Sequence, residues 1–482
     1  MTAHREATRA AGSGMVLLLA CAAQFMVVLD IAIVNVALPS IQRDLAMGQG
    51  SLQWVVVAYG LMLGGFLLLG GRLADLLGRR RVLLTGLALF SLASLVAGVA
   101  QSAELLIAAR ALQGFGAALI PPAALSILAV TFAEGGARNR ALGLYGATAG
   151  ISASVGVIAS GLLTDGPGWR WVFLINVPVG AVLIALAAFV LPADARGERT
   201  ERFDVAGAVT VTGGLLLLVY ALNRGADDGW GSAAALGLFA GAAMLLAAFA
   251  RIETRSRSPL VPGAAVRNRT LVAANLSAFF TFGAFFSFIF LGTLLMQQGL
   301  GYSPTRTGVA WLATSATSFV AAAATGGRLA AVFGVRRLLV AGQALLAVAM
   351  LLLTRVPADA HYATDLLPAL ALAGIAGGLA APAAQIGALS GVADAMTGLA
   401  SGLVETFREI GAAVGVAAVS TVLVSRLGAA DGAVDAFRAA FWVVCAVAAL
   451  GAVTAAVGFP RRGAVAPSPV GEPGREAVRE EV

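Results

Sequence analysis

Residues 70–81 read Gly-Gly-Arg-Leu-Ala-Asp-Leu-Leu-Gly-Arg-Arg-Arg, and residues 326–337 read Gly-Gly-Arg-Leu-Ala-Ala-Val-Phe-Gly-Val-Arg-Arg. The two stretches align without a gap, are separated by just over half of the chain, and each follow a long apolar run. A repeat at so long a distance indicates a duplicated half of the chain rather than a short repeating unit. We therefore predict two homologous halves, each carrying one copy in an equivalent loop.

The composition indicates a membrane protein. Of the 482 residues, 59% are hydrophobic and 12% are charged, whereas a soluble domain carries about 25% charged residues. Nearly uncharged runs recur along most of the chain, each close to the ~20 residues that a helix needs to cross the hydrocarbon core. The bilayer is therefore the expected surroundings of most side chains.

Breaking the apolar runs at charge clusters and at Pro or Gly turns predicts fourteen membrane-spanning helices. They lie near residues 15–38, 52–71, 82–100, 104–128, 141–163, 171–191, 205–222, 233–250, 271–296, 307–325, 338–354, 366–388, 397–424 and 436–458. The predicted fold class is an all-α polytopic membrane protein with its helices arranged as 6+2+6, because the two repeat copies then follow spans 2 and 10.

This arrangement divides the chain into five parts. They are a cytoplasmic N-terminus (1–14), an N-terminal six-helix bundle (15–191), a central part (192–270) with two extra helices at about 205–222 and 233–250, a C-terminal six-helix bundle (271–458) and a disordered cytoplasmic tail (459–482). The tail is rich in Pro, Gly, Arg and Glu, a composition that favours disorder.

The distribution of arginine predicts the orientation. Cytoplasmic loops of membrane proteins retain positive charge. With the N-terminus inside, 23 arginines fall in cytoplasmic segments and seven on the other side. Arg224 and Arg355 are then expected outside, and Arg199 and Arg257 inside. Both termini are predicted to be cytoplasmic. The use of Arg without Lys and the abundance of Ala, Gly, Val and Leu are typical of a high-GC coding sequence and indicate the inner membrane of a bacterium.

Few side chains are available for metal or nucleotide chemistry. The two cysteines, Cys21 and Cys445, sit inside apolar runs, and the two histidines, His4 and His361, sit outside them. A His/Cys metal centre is therefore not expected. All basic residues are arginine, so a P-loop, which requires lysine, is excluded. We expect no cofactor and no nucleic-acid partner.

The first repeat copy has the features of a conformational-switch loop. Its two glycines permit close backbone approach and a tight turn, and Asp75 can pair with a following arginine or face the N-terminus of a neighbouring helix. The stretch resembles the loop signature of the major facilitator superfamily between spans 2 and 3, although Leu76 replaces the usual basic residue. The residues concerned are Gly71, Asp75, Gly78, Arg79 and Arg80.

Span 1 contains an acidic residue, Asp30, in the sequence 29–39, Leu-Asp-Ile-Ala-Ile-Val-Asn-Val-Ala-Leu-Pro. An ionised carboxylate at this depth requires a partner, water or a proton. The stretch resembles the first-span signature of the fourteen-spanner drug:proton antiporters of the major facilitator superfamily. The resemblance makes Asp30 a candidate for proton coupling, and Asn35 a candidate lining residue of a substrate cavity.

Span 4 carries a second charged motif. Residues 110–118, Arg-Ala-Leu-Gln-Gly-Phe-Gly-Ala-Ala, resemble the R-x-x-Q-G-x-G-A-A pattern of that family, whose arginine is implicated in proton transfer. Arg110 is therefore a candidate coupling residue and Gln113 a second candidate for the cavity. Residues 169–180, which begin Trp-Arg-Trp, also match the family's start of span 6 but indicate little about chemistry beyond membership.

Span 5 resembles the antiporter signature of the superfamily. The glycines that carry the resemblance are Gly146, Gly150, Gly156 and Gly161. Val157 stands where a proline is expected and Ser160 where a glycine is expected, which weakens the inference of antiport. A stripe of small residues also serves helix packing, so both interpretations remain open at this point.

Span 13 contains three ionisable side chains, Glu405, Arg408 and Glu409, in an otherwise apolar segment. Spacings of three and four residues allow all three to lie along one helix face. One Glu–Arg pair would leave a carboxylate free to titrate, which makes Glu405 a third candidate for proton coupling. The alternative is an ion network, with Arg408 and Glu409, that only joins helices.

The resemblance covers essentially the whole chain and implies a secondary transporter, not an enzyme. The implied mechanism is alternating access, in which a monomer exchanges protons for small, amphipathic or cationic drugs or antibiotics, with the proton gradient as energy source. A proton-coupled symporter or a uniporter of a metabolite is the nearest alternative. An intramembrane enzyme or a channel would need a catalytic cluster or a filter loop, and neither is found.

Overall fold

The computed structural model describes residues 2–193, 204–256, 258–357, 359–427 and 433–459. Within these ranges the regular structure is helical, without a strand. The predicted disordered tail from residue 460 onwards, and Arg199 and Arg257 of the orientation prediction, lie outside the described residues.

The α-helices follow one another in a simple order. They are α1 (Thr2–Asp44), α2 (Gln49–Leu77), α3 (Arg79–Gly98), α4 (Ala103–Thr131), α5 (Gly136–Asp165), α6 (Trp171–Leu174), α7 (Asn176–Val190), α8 (Val205–Asp228), α9 (Ala233–Glu253), α10 (Gly263–Arg267), α11 (Arg269–Leu294), α12 (Pro304–Ala324), α13 (Ala330–Phe333), α14 (Val335–Leu353), α15 (Leu367–Leu389), α16 (Thr397–Leu427) and α17 (Ala433–Gly458). Short π-helical turns extend α11, α12 and α15, at Leu295–Gly299, Thr325–Leu329 and Tyr362–Leu366.

Thirteen helical segments of the described residues are long and apolar enough to cross a membrane. The predicted extra spans correspond to α8 and α9. The predicted fifth span corresponds to α5, a helix of 30 residues that is not among those thirteen. The polytopic, all-α fold class is confirmed, whereas the count of fourteen spans stays a prediction.

The two copies of the repeat adopt the same local structure. Gly78 has φ 101° and separates α2 from α3, and Gly334 has φ 76° and separates α13 from α14. Only glycine adopts such a positive φ without strain, so each copy turns the chain sharply between two helices. We call the end of the molecule that carries Gly78 and Gly334 the repeat end, and the opposite end the far end.

Two helical bundles meet at the repeat end. In the first bundle α2 and α3 pack on α4, and α1 packs on α5; in the second α11 packs on α16, and α14 and α12 pack on α15. Across the seams between the bundles α2 packs on α16 and α5 packs on α12. Gly71 lies against Gly398 and Gly402, and Gly143 lies against Gly326, so backbones touch directly at both seams.

The helix pair α8 and α9 lies beside the seam between α2 and α16. Its two helices pack on each other, and α8 packs on both α2 and α16. The ring of Tyr220 lies 5.8 Å from that of Trp54 in α2, centroid to centroid. At the far end Trp230 donates a hydrogen bond of 2.5 Å from Nε1 to Oγ1 of Thr421 in α16. The pair is thus attached to both bundles.

Candidate functional site

A fully buried ion pair occupies the interior of the first bundle. Asp30 of α1 has no exposed surface, and Arg110 of α4 is 1% exposed. Nη1 of Arg110 lies 2.6 Å from Oδ2 of Asp30. The other carboxylate oxygen accepts hydrogen bonds from Gln113 (2.7 Å) and Asn176 (2.9 Å). Both carboxylate oxygens therefore have a donor, the condition under which a buried charge is tolerated.

The guanidinium of Arg110 is held on several sides. Its Nε donates to the carbonyl oxygen of Val55 at 2.9 Å, and its Nη1 also donates to Oε1 of Gln113 at 2.7 Å. Its Cζ lies 4.2 Å from the centroid of the Tyr59 ring and 5.8 Å from that of Phe173. Arg110 lies near the far end of α4 and points inward to the bundle, so it does not reach towards the membrane surface.

Gln113, a predicted cavity residue, belongs to this ion-pair cluster. It has no exposed surface, and its amide connects Asp30, Arg110 and Ser94 by hydrogen bonds of 2.7 Å each. A role in lining a substrate cavity stays a prediction, because in this conformation Gln113 faces polar side chains and not open space. The side chain of Asn35 lies outside what the structure describes.

Sequence reasoning missed two members of the cluster, Asn176 and Ser94. Asn176 begins α7, inside the stretch that had indicated only family membership, and Ser94 lies in α3. An amide in a span that is otherwise apolar is the signal that could have identified Asn176, because such a group needs a partner inside the bundle. A single serine in a helix gives no comparable signal.

The loop after α2 locks the two bundles together at the repeat end. Asp75 accepts hydrogen bonds from the backbone N–H groups of Gly398 and Leu399, each 2.8 Å long, at the N-terminus of α16. This is the second of the two predicted arrangements, a carboxylate facing a helix N-terminus, where the helix dipole favours negative charge. Gly71 and Gly78 permit the close approach and the turn, as predicted.

The arginines of the same loop bind carbonyl and hydroxyl oxygens. Arg79 donates to Oγ of Ser126 at 2.7 Å and to Oγ1 of Thr397 at 3.1 Å, and also to the carbonyl oxygen of Asp394. Arg80 donates to the carbonyl oxygen of Ala188 at 2.8 Å. Arg79 therefore adds contacts between the bundles, whereas Arg80 ties α3 to α7 within the first bundle.

The ionisable residues of span 13 form one network in α16. Nη1 of Arg408 lies 2.6 Å from Oε2 of Glu405, and its Nη2 lies 2.9 Å from Oε1 of Glu409. One guanidinium thus serves two carboxylates. The Glu405 side chain is 1% exposed and that of Glu409 is 27% exposed. Gln385 of α15 donates a long hydrogen bond of 3.4 Å to Glu405. The Glu409 carboxylate is the accessible part of the network.

A polar link from the first bundle faces this network. Tyr145 of α5 donates a hydrogen bond of 2.8 Å to Oε1 of Gln24 in α1. Both residues are buried, and Gly146, which follows Tyr145, lies against the side chain of Gln385, the donor to Glu405. The network in α16 therefore lies at the boundary between the bundles and not deep inside the second one.

The glycines of span 5 pack in two directions. Gly156 lies against Ala32 of α1, and Gly146 lies against Pro382 of α15 in the second bundle. Ser160, in place of the expected glycine, donates a hydrogen bond of 2.7 Å to the carbonyl oxygen of Ile33. The stripe thus joins α5 both to its own bundle and to the other. The surroundings of Gly150 and Gly161 lie outside what the structure describes.

An exposed ion pair closes the far end of α1. Nη1 of Arg170 lies 2.6 Å from Oδ2 of Asp44, and Trp169 donates a hydrogen bond of 3.0 Å to the same oxygen. The Arg170 and Trp169 hydrogen bonds hold the pKa of the Asp44 carboxyl below its usual value.

Among the residues that the structure describes, no group of three or more His, Cys, Asp or Glu side chains is arranged to hold a metal ion.

Two helical bundles joined at one end, with a neutralised ion pair buried inside one of them, define a membrane transport protein. The chain belongs to the Major Facilitator Superfamily, whose family model matches residues 20–312 and 274–481. The resemblance seen in the sequence motifs is thereby confirmed, and the family is one of transporters and not of enzymes.

The chain is similar in sequence to named resistance and export proteins of the superfamily. The chain is 43% identical over 365 residues to the puromycin resistance protein pur8 of Streptomyces alboniger, which covers 75% of this chain and 72% of the relative. It is 39% identical over 365 residues to the cephamycin export protein CmcT of Amycolatopsis lactamdurans, with 75% of each chain covered. The human organic anion transporter MFSD10 has a similar structure, with a TM-score of 0.70 over 92% of this chain and 99% of that one. At 15% identity this last likeness is one of fold alone.

Proposed function

We propose that this protein exports small amphipathic molecules across the bacterial cytoplasmic membrane in exchange for protons. The observation that carries the proposal is the buried pair of Asp30 and Arg110, joined at 2.6 Å. A buried carboxylate that is neutralised only by a partner can bind a proton when that partner moves, which is the property a coupling site needs. The relatives named for antibiotic resistance and export support the direction of transport.

The conformation supports alternating access. The bundles touch at the repeat end through the Asp75 contact and through glycine backbones at both seams. The positive-inside rule supports a cytoplasmic position for that end, since it carries the Arg72–Arg81 and Arg328–Arg337 clusters. The cytoplasmic side is then closed, so substrate would leave, and protons enter, from the far end. Opening the cytoplasmic side requires breaking the Asp75 contact.

The network of α16 favours cationic, amphipathic substrates. Its two carboxylates and one guanidinium leave one negative charge, and Glu409 is the part-exposed member. The ring of Phe282 lies 5.3 Å from Cζ of Arg408, and the neighbouring Phe286 is 42% exposed. A carboxylate beside aromatic rings attracts an amine that is attached to an apolar body. Asp30, Arg110 and Glu405 remain the proposed coupling residues.

The experiment uses purified protein in liposomes, with puromycin as the probe. Vesicles with an acidic interior are diluted into neutral buffer, and accumulated puromycin is measured with and without a protonophore. A proton exchanger accumulates puromycin in acidic vesicles. Asp30→Asn should abolish accumulation because an amide cannot exchange a proton. The control is Asp435→Asn, which removes a far-end carboxylate whose side chain is 57% exposed. Wild-type accumulation by the Asp30→Asn protein would overturn the proposal.

Val157, in place of the expected proline of span 5, favours a second candidate, a symporter or uniporter of a metabolite. The same vesicles separate the alternatives. A symporter accumulates substrate only when the outside is acidic, and a uniporter only equilibrates it. We further propose that the protein acts as a monomer with both termini in the cytoplasm.

A further inference from the structure

Tyr59 of α2 is an uncharged residue that contacts the ion pair of Asp30 and Arg110. The side chain is 2% exposed, and its ring centroid lies 4.2 Å from Cζ of Arg110. A guanidinium over an aromatic face at this distance is attracted by the ring quadrupole, most strongly where water is excluded. The ring thus covers a face of the guanidinium, where its N–H groups form no hydrogen bond.

The position of the ring is fixed from two sides. The Tyr59 hydroxyl donates a hydrogen bond to the carbonyl oxygen of Val27 in α1, at 3.4 Å. The backbone of Tyr59 lies so close to Gly114 of α4 that a β-carbon there would collide with it. The sequence therefore places a glycine one turn after Arg110, where α2 must approach α4 closely. The hydrogen bond and the close backbone contact together hold the ring beside Arg110.

Tyr59 also lies between the Asp30–Arg110 pair and the charged network of α16. Helices α2 and α16 run antiparallel, with Leu67 against Gly402. Eight residues along each helix from this contact, Tyr59 is level with Ile410, the neighbour of Glu409. Tyr59 thus contacts Arg110 in the first bundle and lies at the level of the Glu409 end of the α16 network in the second.

We propose that Tyr59 is the positioning residue of the coupling pair: its ring face holds the guanidinium of Arg110 against the carboxylate of Asp30. The effect of this contact on transport rests on the proposed function, whereas the positioning of Arg110 does not. When the ring is lost, Arg110 competes less well with protons for Asp30. Proton binding to Asp30 then shifts to higher pH, with Gln113, Asn176 and Ser94 unchanged around it.

The test compares Tyr59→Leu with Tyr59→Phe. Leucine keeps an apolar side chain but removes the ring face, whereas phenylalanine keeps the ring and loses only the hydroxyl. The matched control is Tyr220→Leu, since Tyr220 also packs on α2, through Trp54, but lies outside the ion-pair cluster. All variants are checked for monodispersity and thermal stability in detergent.

The primary measurement is an infrared titration of the protonated carboxyl band, assigned to Asp30 by its absence in Asp30→Asn. We expect the midpoint in Tyr59→Leu to lie about one pH unit above that of wild type, the size of a desolvated cation–π contact. Tyr59→Phe and Tyr220→Leu should match wild type. An unshifted midpoint in Tyr59→Leu, or equal shifts in the Leu and Phe variants, would overturn the positioning role.

Transport gives the second measurement and separates the two proposals. The pH profile of puromycin accumulation in Tyr59→Leu should move by the same amount as the infrared midpoint, whereas a merely less stable protein would lose rate equally at every pH. A wild-type protein that accumulates no puromycin in acidic vesicles would refute proton-driven export of this substrate. The infrared result would still decide the role of Tyr59.

Discussion

Replacing Asp75 by asparagine should open the closed end of the molecule. The carboxylate accepts two backbone hydrogen bonds of 2.8 Å from the first turn of α16. Asparagine has one acceptor oxygen, so one bond and the charge–dipole attraction are lost, together about 2 kcal/mol for this part-buried group. Such a loss changes the ratio of closed to open molecules about 30-fold. The substitution lies outside both ion networks, so folding should be retained.

The assay is a distance measurement between spin labels at the repeat end. Leu77 at the end of α2 is 42% exposed, and Phe333 at the end of α13 is 45% exposed, so labels at these positions report the separation of the bundles. Cys21 and Cys445 are first replaced by serine or alanine. Asp75→Asn should add a population at longer distance, while the control Asp435→Asn should leave the distribution as in wild type. An unchanged distribution together with wild-type transport by Asp75→Asn would refute the reasoning.

Three further predictions test other parts of the structure. Gly71→Ala should reduce transport at least tenfold, because a β-carbon there collides with the carbonyl oxygen of Gly398 in the closed state; normal turnover with closed-state labelling distances would contradict this. Glu405→Gln should abolish proton-driven accumulation but preserve puromycin binding, measured by equilibrium dialysis, and retained accumulation would leave Asp30 as the one coupling acid of the two. Cysteines introduced at Arg224 and Arg355 in a cysteine-free protein should react with an impermeant thiol reagent in intact cells, and protection of both would reverse the proposed orientation.

The local consequences of the repeat were predictable from sequence, but its partner was not. The glycines of the first copy indicated a tight turn there, and Gly78 and the matching Gly334 of the second copy both adopt a positive φ. The expectation that Asp75 would either pair with a following arginine or face a helix N-terminus required only its charge and the nature of helix ends. The identity of that helix, which begins more than 300 residues later, depends on how the bundles pack, and periodicity along one chain carries no such information.

In the candidate site, too, some residues could be predicted from the sequence and others could not. Asp30, Arg110 and the α16 network were identified from sequence because a charged group inside an apolar span is energetically costly and requires a partner or a function. Neutral polar residues cost less, so Asn176 and Ser94 did not stand out, although both complete the surroundings of Asp30 and Gln113. The role of Tyr59 could not be predicted from sequence for a further reason. It depends on which group lies over the face of the ring, and hydropathy does not distinguish one tyrosine in a membrane helix from another.

The helix pair α8 and α9 covers one of the two seams between the bundles, so the two seams differ in their exposure to lipid. Through Trp54 and Thr421 the pair covers the far-end part of the seam between α2 and α16, while within the described residues the seam between α5 and α12 has no such helix over it. An apolar molecule dissolved in the membrane therefore meets the α8–α9 pair on one side and the packed seam between α5 and α12 on the other. When the bundles separate, any substrate that diffuses laterally out of the bilayer should arrive by the α5–α12 side, so bulky substitutions along that seam should slow the uptake of lipid-soluble molecules more than that of water-soluble ones.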